Sequence, residues 1–141
     1  MASSKQEAPP LRFNYSITLL LLLLLIASSL HGAAAVPTGV LCNHKTYGDD
    51  DPFGASLVQL LQQLVLLTPY EGNLYASLPH TGALAYGHAA CLPRVQLPDD
   101  CEKCLRSAVK QILDTCGYNR IGAKAMLADC MVHYEQYYFV D

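Results

Sequence analysis

The chain of 141 residues contains no Trp, and only 15% of it is Asp, Glu, Lys or Arg. Neither sign of charge dominates: nine Lys and Arg stand against twelve Asp and Glu, for a formal net charge of −3. Nucleic-acid binding through phosphate contacts needs an excess of Lys and Arg to release counterions, so that class is excluded. No Gly-x-Ser-x-Gly occurs, and Ser56, Ser77 and Ser107 have no visible base nearby, which argues against hydrolase chemistry. The run Asp49 to Asp51 lacks the loop pattern of a calcium site and reads as a solvated turn. His44, His80, His88 and His133 are scattered over four segments, whereas a metal site would need several of them to converge. The chain is also too short for two ordinary domains.

Apolar residues, at 52%, are plentiful, and many of them sit in one run near the start. Ile17 to Leu30 reads ITLLLLLLLIASSL, without a charge. Lys5 and Arg12 precede it, and HGAAAVP follows, with Ala33 and Ala35 in an A-x-A arrangement. A basic lead, an apolar run and a small-residue exit mark a secretory signal peptide, and the run falls short of the roughly 20 residues that span a bilayer. Cleavage is predicted after Ala35, which gives a leader at 1–35 and a single domain at 36–141. That domain would keep seven Lys and Arg against eleven Asp and Glu, a net charge of −4. The glycosylation sequon Asn14-Tyr15-Ser16 falls inside the leader, and no other follows. No second apolar stretch approaches membrane length, so the mature domain is expected to be extracellular, without a membrane span.

All six cysteines, at 42, 91, 101, 104, 116 and 130, lie after the leader. An even count in a small secreted domain reads as three disulfides, with about 15 pairings open to arithmetic alone. A zinc site built on Cys101-x-x-Cys104 is disfavoured, because Cys116 and Cys130 lack the partner spacing. A redox site is disfavoured too, since no thioredoxin-type strand-turn-helix unit surrounds the pair.

Periodicity gives a coarse plan. Gly39 to Tyr47 reads as a strand, and Ser56 to Thr68 as a helix capped by Ser56 and stopped by Pro69. Asn73 to Leu78 and Leu84 to Ala90 alternate around a Pro-His-Thr-Gly turn, as a hairpin would. Pro98-Asp99-Asp100 opens a second helix, along which Cys101, Cys104, Leu105, Ala108, Val109, Ile112, Leu113 and Cys116 form one face. Ile121 to Ala128 and Met131 to Phe139 read as the last two strands. The order predicts an α+β domain, an antiparallel sheet with two helices packed on one face.

Tyr134, Tyr137 and Tyr138 suit alternation between the core and rim of a strand better than a stacking platform. A tight turn at Asp129-Cys130 would set Lys124 opposite Glu135, within cross-strand reach. Such a pair is ordinarily a surface ion pair worth at most about 1 kcal/mol. A donor beside an acceptor can also grip vicinal hydroxyls.

Cys91, Cys101-x-x-Cys104, a helix, Cys116, then IGAKAMLADC and MVHYEQYYF resemble the ginkbilobin-type cysteine-rich secretory family of plants, also called the stress-antifungal or salt-stress-response domain. AYGHAAC before Cys91 and LCN at Leu41 to Asn43 resemble the same family's motifs, so the likeness spans about Leu41 to Phe139. Nine residues separate Cys91 from Cys101, one more than is usual in the family, an addition that a surface loop tolerates.

The resemblance implies a five-stranded antiparallel sheet with two helices, and the pairing Cys42 with Cys116, Cys91 with Cys101 and Cys104 with Cys130. It also implies a secreted, non-enzymatic antifungal lectin of the plant apoplast that binds mannose, or mannose-containing glycans of a fungal surface, without a cofactor. The family's sugar contacts, an Asn, an Arg and a Glu, fall at Asn43, Lys124 and Glu135. Lys at the second place replaces a rigid planar fork with three donors on a flexible stem. The alternative is a soluble apoplastic module that has lost sugar binding and acts through a receptor or partner protein.

Overall fold

A computed structural model describes residues 38–80 and 82–141. The leader expected at 1–35, its cleavage point and its sequon lie outside the described residues. Five strands and two helices follow in the order β1 (Gly39–Cys42), α1 (Phe53–Glu71), β2 (Asn73–His80), β3 (Ala83–Cys91), α2 (Pro98–Cys116), β4 (Gly122–Met126) and β5 (Cys130–Glu135). The strands form one sheet in the spatial order β1-β4-β5-β3-β2, antiparallel throughout. The expected α+β architecture is present, with its three disulfides Cys42–Cys116, Cys91–Cys101 and Cys104–Cys130.

Alternation along the strands gives the sheet two unlike faces. Ala85, Ala89, Ala123, Ala125, Val132 and Tyr134 are buried and join the core with Phe53, Leu57, Leu60, Leu61, Leu64 and Val65 of α1 and Leu105, Ala108 and Ile112 of α2. Small residues on β3 let α1 approach closely. A Cβ added at Gly87 would stand 2.7 Å from Leu64 Cδ1 and 2.9 Å from Leu60 Cδ2. The opposite face carries Tyr75, Tyr86, His88, Lys124, His133 and Glu135, and this is where the site lies.

α2 has the predicted bounds. Pro98 opens it, Asp99 and Asp100 occupy its first turn, and Gly117, at φ +81°, ends it. α1 differs from expectation at both ends. It starts at Phe53, whose N–H is taken by Asp51 Oδ1 at 2.9 Å. Ser56 is therefore no cap; it is buried inside the helix, and its Oγ donates to the Ala83 carbonyl at 2.7 Å. Pro69 does not stop the helix either. Near a C-terminal end it removes one backbone donor only, and the helix runs on to Glu71 before Gly72, at φ +73°, closes it through Thr68 O.

β1 ends at Cys42 rather than Tyr47, because the Asn43 side chain accepts the Lys45 N–H at 3.1 Å and turns the backbone away. Thr46 rejoins the fold only through an isolated bridge to Arg120. The β2–β3 hairpin pairs from Asn73↔Ala90 to His80↔Ala83, with Gly82 in its turn at φ +93°. β5 stops at Glu135, four residues before the predicted Phe139. Gln136 N–H bonds Ile121 O at 2.8 Å, and residues 137–141 then cross the open face as a strap.

Candidate functional site

The β4–β5 turn decides which residues can meet. Met126 pairs with Met131, and Leu127 N–H bonds Cys130 O at 2.9 Å, so the turn centres on Ala128-Asp129. Arg94 fixes it from outside, with Nε donating to Asp129 Oδ1 at 2.8 Å and Nη2 to the Ala128 carbonyl. Cys130 is thereby kept in the ladder opposite Cys91, where it reaches Cys104. The expected opposition of Lys124 and Glu135 is corrected: Lys124 faces His133, and Glu135 faces Gly122. A shift of two residues preserves the face, so Lys124 and Glu135 share the open side but stand in adjacent rows.

Glu135 is a buried carboxylate whose side chain is 12% exposed. Its position depends on Gly122, since a Cβ at that residue would fall onto the Glu135 carboxylate. Asn43 Nδ2 donates to Glu135 Oε2 at 3.2 Å and lies 3.5 Å from the Tyr137 hydroxyl. Asn43 is fixed at two further points: its N–H donates to Gly122 O at 2.8 Å, and its Oδ1 accepts the Lys45 N–H. Burial and the neighbouring Glu135 charge raise the Tyr137 hydroxyl above its ordinary range, so it stays a neutral donor beside the carboxylate. An open hollow of about 550 Å³ is lined by Asn43, His44, Lys45, Thr46, Ile121, Gln136 and Tyr137; Glu135 is not part of that lining. A second hollow, of about 450 Å³, lies around Arg94, Leu97, Asp100 and Asp129 and includes none of the predicted sugar contacts.

Asn43 and Glu135 are thus in contact. Lys124 is not with them. Its Nζ pairs with Asp141 Oδ1 at 2.7 Å. Asp141 also receives His88 Nδ1 at 2.8 Å and His133 Nδ1 at 2.9 Å. Burial alone would raise the Asp141 carboxyl, but the hydrogen bonds from Lys124, His88 and His133 outweigh it and bring the group down to about 2. His133 links the two clusters, with Nε2 at 3.5 Å from Glu135 Oε1.

The histidines are less dispersed than the sequence suggests. His88 and His133 are direct cross-strand partners, whereas His44 is exposed. Among the described residues no group of His, Cys, Asp and Glu is arranged to hold a metal ion. The tyrosines divide between core and rim: Tyr134 is 1% exposed, and burial raises its hydroxyl, while Tyr137 and Tyr138 are exposed. No motif in the sequence singles out Asp141, Tyr75 or Asn73 as functional. A trace was available in the alternation of β3 and β5, which sets Tyr86, His88, His133 and Glu135 opposite an apolar face.

The family described as salt stress response/antifungal matches residues 41–137. Antifungal protein ginkbilobin-like protein 1 of Picea glauca is 34% identical over 128 residues, covering 86% of this chain and 89% of that protein. Antifungal protein ginkbilobin-2 of Ginkgo biloba is 35% identical over 98 residues, covering 67% of this chain and 72% of that protein. Among solved structures, the tandem DUF26 ectodomain of the Arabidopsis thaliana cysteine-rich receptor-like protein PDLP5 superposes with a TM-score of 0.65 at 21% identity. The match covers 72% of this chain and half of that ectodomain, and at this identity it speaks for the fold alone. The chain belongs to the salt stress response/antifungal family.

Proposed function

We propose that this chain is a secreted, defence-related protein of the apoplast that binds mannose-type glycans and restricts fungal growth without catalysis. Its relatives' antifungal names support the activity. The basic, apolar and small-residue order of 1–35 supports secretion through a cleaved leader. The observation that carries the sugar reading is the contact of Asn43 Nδ2 with Glu135 Oε2 at 3.2 Å beside an open hollow. An amide donor and a carboxylate acceptor at that separation suit two adjacent hydroxyls of a pyranose, one accepting and one donating. Lys124 would add a third contact on exchanging Asp141 for a hydroxyl. With every cysteine in a disulfide, no thiol is left to act as a nucleophile.

Growth inhibition by the oxidised domain from Val36 tests the activity, and the Glu135→Ala variant tests the site. The reading requires inhibition by the parent and loss of it in the variant. Absence of inhibition at high micromolar concentration would sink it.

A protein-binding role is the second reading. It is favoured by α1, where Val58, Leu66 and Tyr70 are 57%, 50% and 78% exposed on a helix with no charge before Glu71. Reproducible capture of one extracellular protein, lost in Leu66→Asp/Tyr70→Asp, would support that role; capture unchanged by the substitutions would oppose it.

A further inference from the structure

The open face holds a second polar constellation besides Asn43 and Glu135. The strand register sets Tyr75, His88, His133 and Lys124 side by side across β2, β3, β5 and β4. Three of these direct nitrogens at one carboxylate. Asp141 Oδ1 takes Lys124 Nζ at 2.7 Å and His133 Nδ1 at 2.9 Å, while Oδ2 takes His88 Nδ1 at 2.8 Å and lies 3.1 Å from His133 Nδ1.

The receiving side is rigid and sheltered. The His88 side chain is 8% exposed, its Nε2 meets Asn73 Oδ1 at 2.9 Å, and its ring stacks on Tyr75 at 3.8 Å. The His133 and Lys124 side chains are 15% and 24% exposed. The occupant sits on a strap outside the ladder. Backbone bonds anchor the strap at Gln136, and at Asp141 through the Tyr75 hydroxyl; between them the Phe139 ring packs on His133 at 4.0 Å and Tyr138 meets Tyr86 edge-on at 6.0 Å, while Tyr137, Tyr138 and Val140 are 52%, 74% and 71% exposed. No strand of the sheet includes the strap, so the ladder would survive its release.

We propose that Lys124, His133 and His88 form a carboxylate-binding site that Asp141 fills from within, and that its external ligand is a sugar acid of the hexuronate class. The carboxylate half of the proposal stands on the three converging nitrogens. The sugar half rests on the hydroxyl-gripping role proposed for Asn43 and Glu135, to which His133 connects the site through Glu135. A hexuronate carries both groups on one ring: its carboxylate replaces that of Asp141, and its hydroxyls face Glu135. Asp141 then acts as an internal competitor, which lowers apparent affinity by the fraction of molecules with the strap closed.

The test is a titration of the oxidised protein with sodium galacturonate, followed by the imidazole NMR signals of His88 and His133. Methyl mannoside and sodium acetate serve as comparison probes. Asp141→Ala is expected to bind galacturonate about tenfold more tightly than the parent. Adding Lys124→Met to that variant should remove at least tenfold of the affinity. Equal galacturonate affinity in parent and Asp141→Ala, or indifference to Lys124→Met, overturns the proposal. If Asp141→Ala binds acetate as well as galacturonate, the carboxylate site stands and the sugar-acid assignment falls. If mannoside binds through Asn43 and galacturonate binds no better, the sugar reading stands and the carboxylate site falls. Asp141→Asn, which keeps the size of the occupant, replaces Asp141→Ala if the latter does not fold, with the same expectations.

Discussion

A single methyl group at Gly122 should disable the Asn43–Glu135 pair. In an open strand position, Gly→Ala stabilises by about 0.4–1 kcal/mol, because it restricts the unfolded chain. At Gly122 the added Cβ would fall onto the Glu135 carboxylate, which is 12% exposed and must shift away from it. Displacing it breaks the bond from Asn43 Nδ2, and a hydrogen bond to a charged group is worth about 1.5–3 kcal/mol. The difference predicts a net loss of about 1–2 kcal/mol for Gly122→Ala, or roughly 5–10 °C in Tm for a domain of this size. Gly39→Ala, where nothing lies within 4 Å, is the control and should be neutral or slightly stabilising. The measurement is equilibrium urea unfolding with disulfides intact. A cycle with Glu135→Ala isolates the cause: once the carboxylate is gone, Gly122→Ala should lose most of its effect, a coupling of about 1 kcal/mol or more. Gly122→Ala as stable as the parent, or additive effects in the double variant, would refute the reasoning.

Three further outcomes follow from the same structure. Gly87→Ala, pressed against Leu64 Cδ1 at 2.7 Å, should cost about 1–3 kcal/mol in the same urea assay, with no change in the signals of Asn43 and Glu135. Loop-closure entropy ranks the disulfides by sequence separation. Replacing both Cys42 and Cys116 by Ser, across 74 residues, should cost up to about 4.5 kcal/mol, against about 2.8 for Cys91 and Cys101, across 10. The third concerns acid. Asp141 is held at about 2, below its ordinary 3.8, so its contribution is complete above pH 4 and is lost as pH falls through 2. Solvent screening limits it to about 1 kcal/mol. Urea midpoints of the parent and Asp141→Asn should therefore differ at pH 6 and converge near pH 2; a difference independent of pH would contradict the linkage.

The parts of the fold legible in the sequence were those where one local rule acted alone. α2 was legible because the Pro98 start, the Asp99 and Asp100 first turn and the recurrence from Cys101 to Cys116 agree; the structure adds Gly117 as its end. α1 was harder, since Ser56 looks like a cap but is drawn into the core by the Ala83 carbonyl, and a late Pro69 costs the helix little. The β4–β5 register was misread by two residues, because Cys130 belongs to the strand and the turn falls earlier, where Arg94 grips it across a long sequence separation. Asn43 and Glu135 came into view through the family resemblance and proved to be neighbours. Asp141 lay beyond sequence reasoning. Its role depends on the strap leaving β5 and crossing three strands, which no local pattern encodes.

The proposed function rests on a sugar grip shared by Asn43 and Glu135. Its most direct test is an NMR titration of the oxidised, isotopically labelled domain from Val36 with mannose, following the amides of Asn43, Lys124 and Glu135. Saturable shifts centred on Asn43 and Glu135, weakened in Glu135→Ala, are the predicted result. Spectra unchanged at tens of millimolar mannose would contradict it and leave a retained fold without a sugar site.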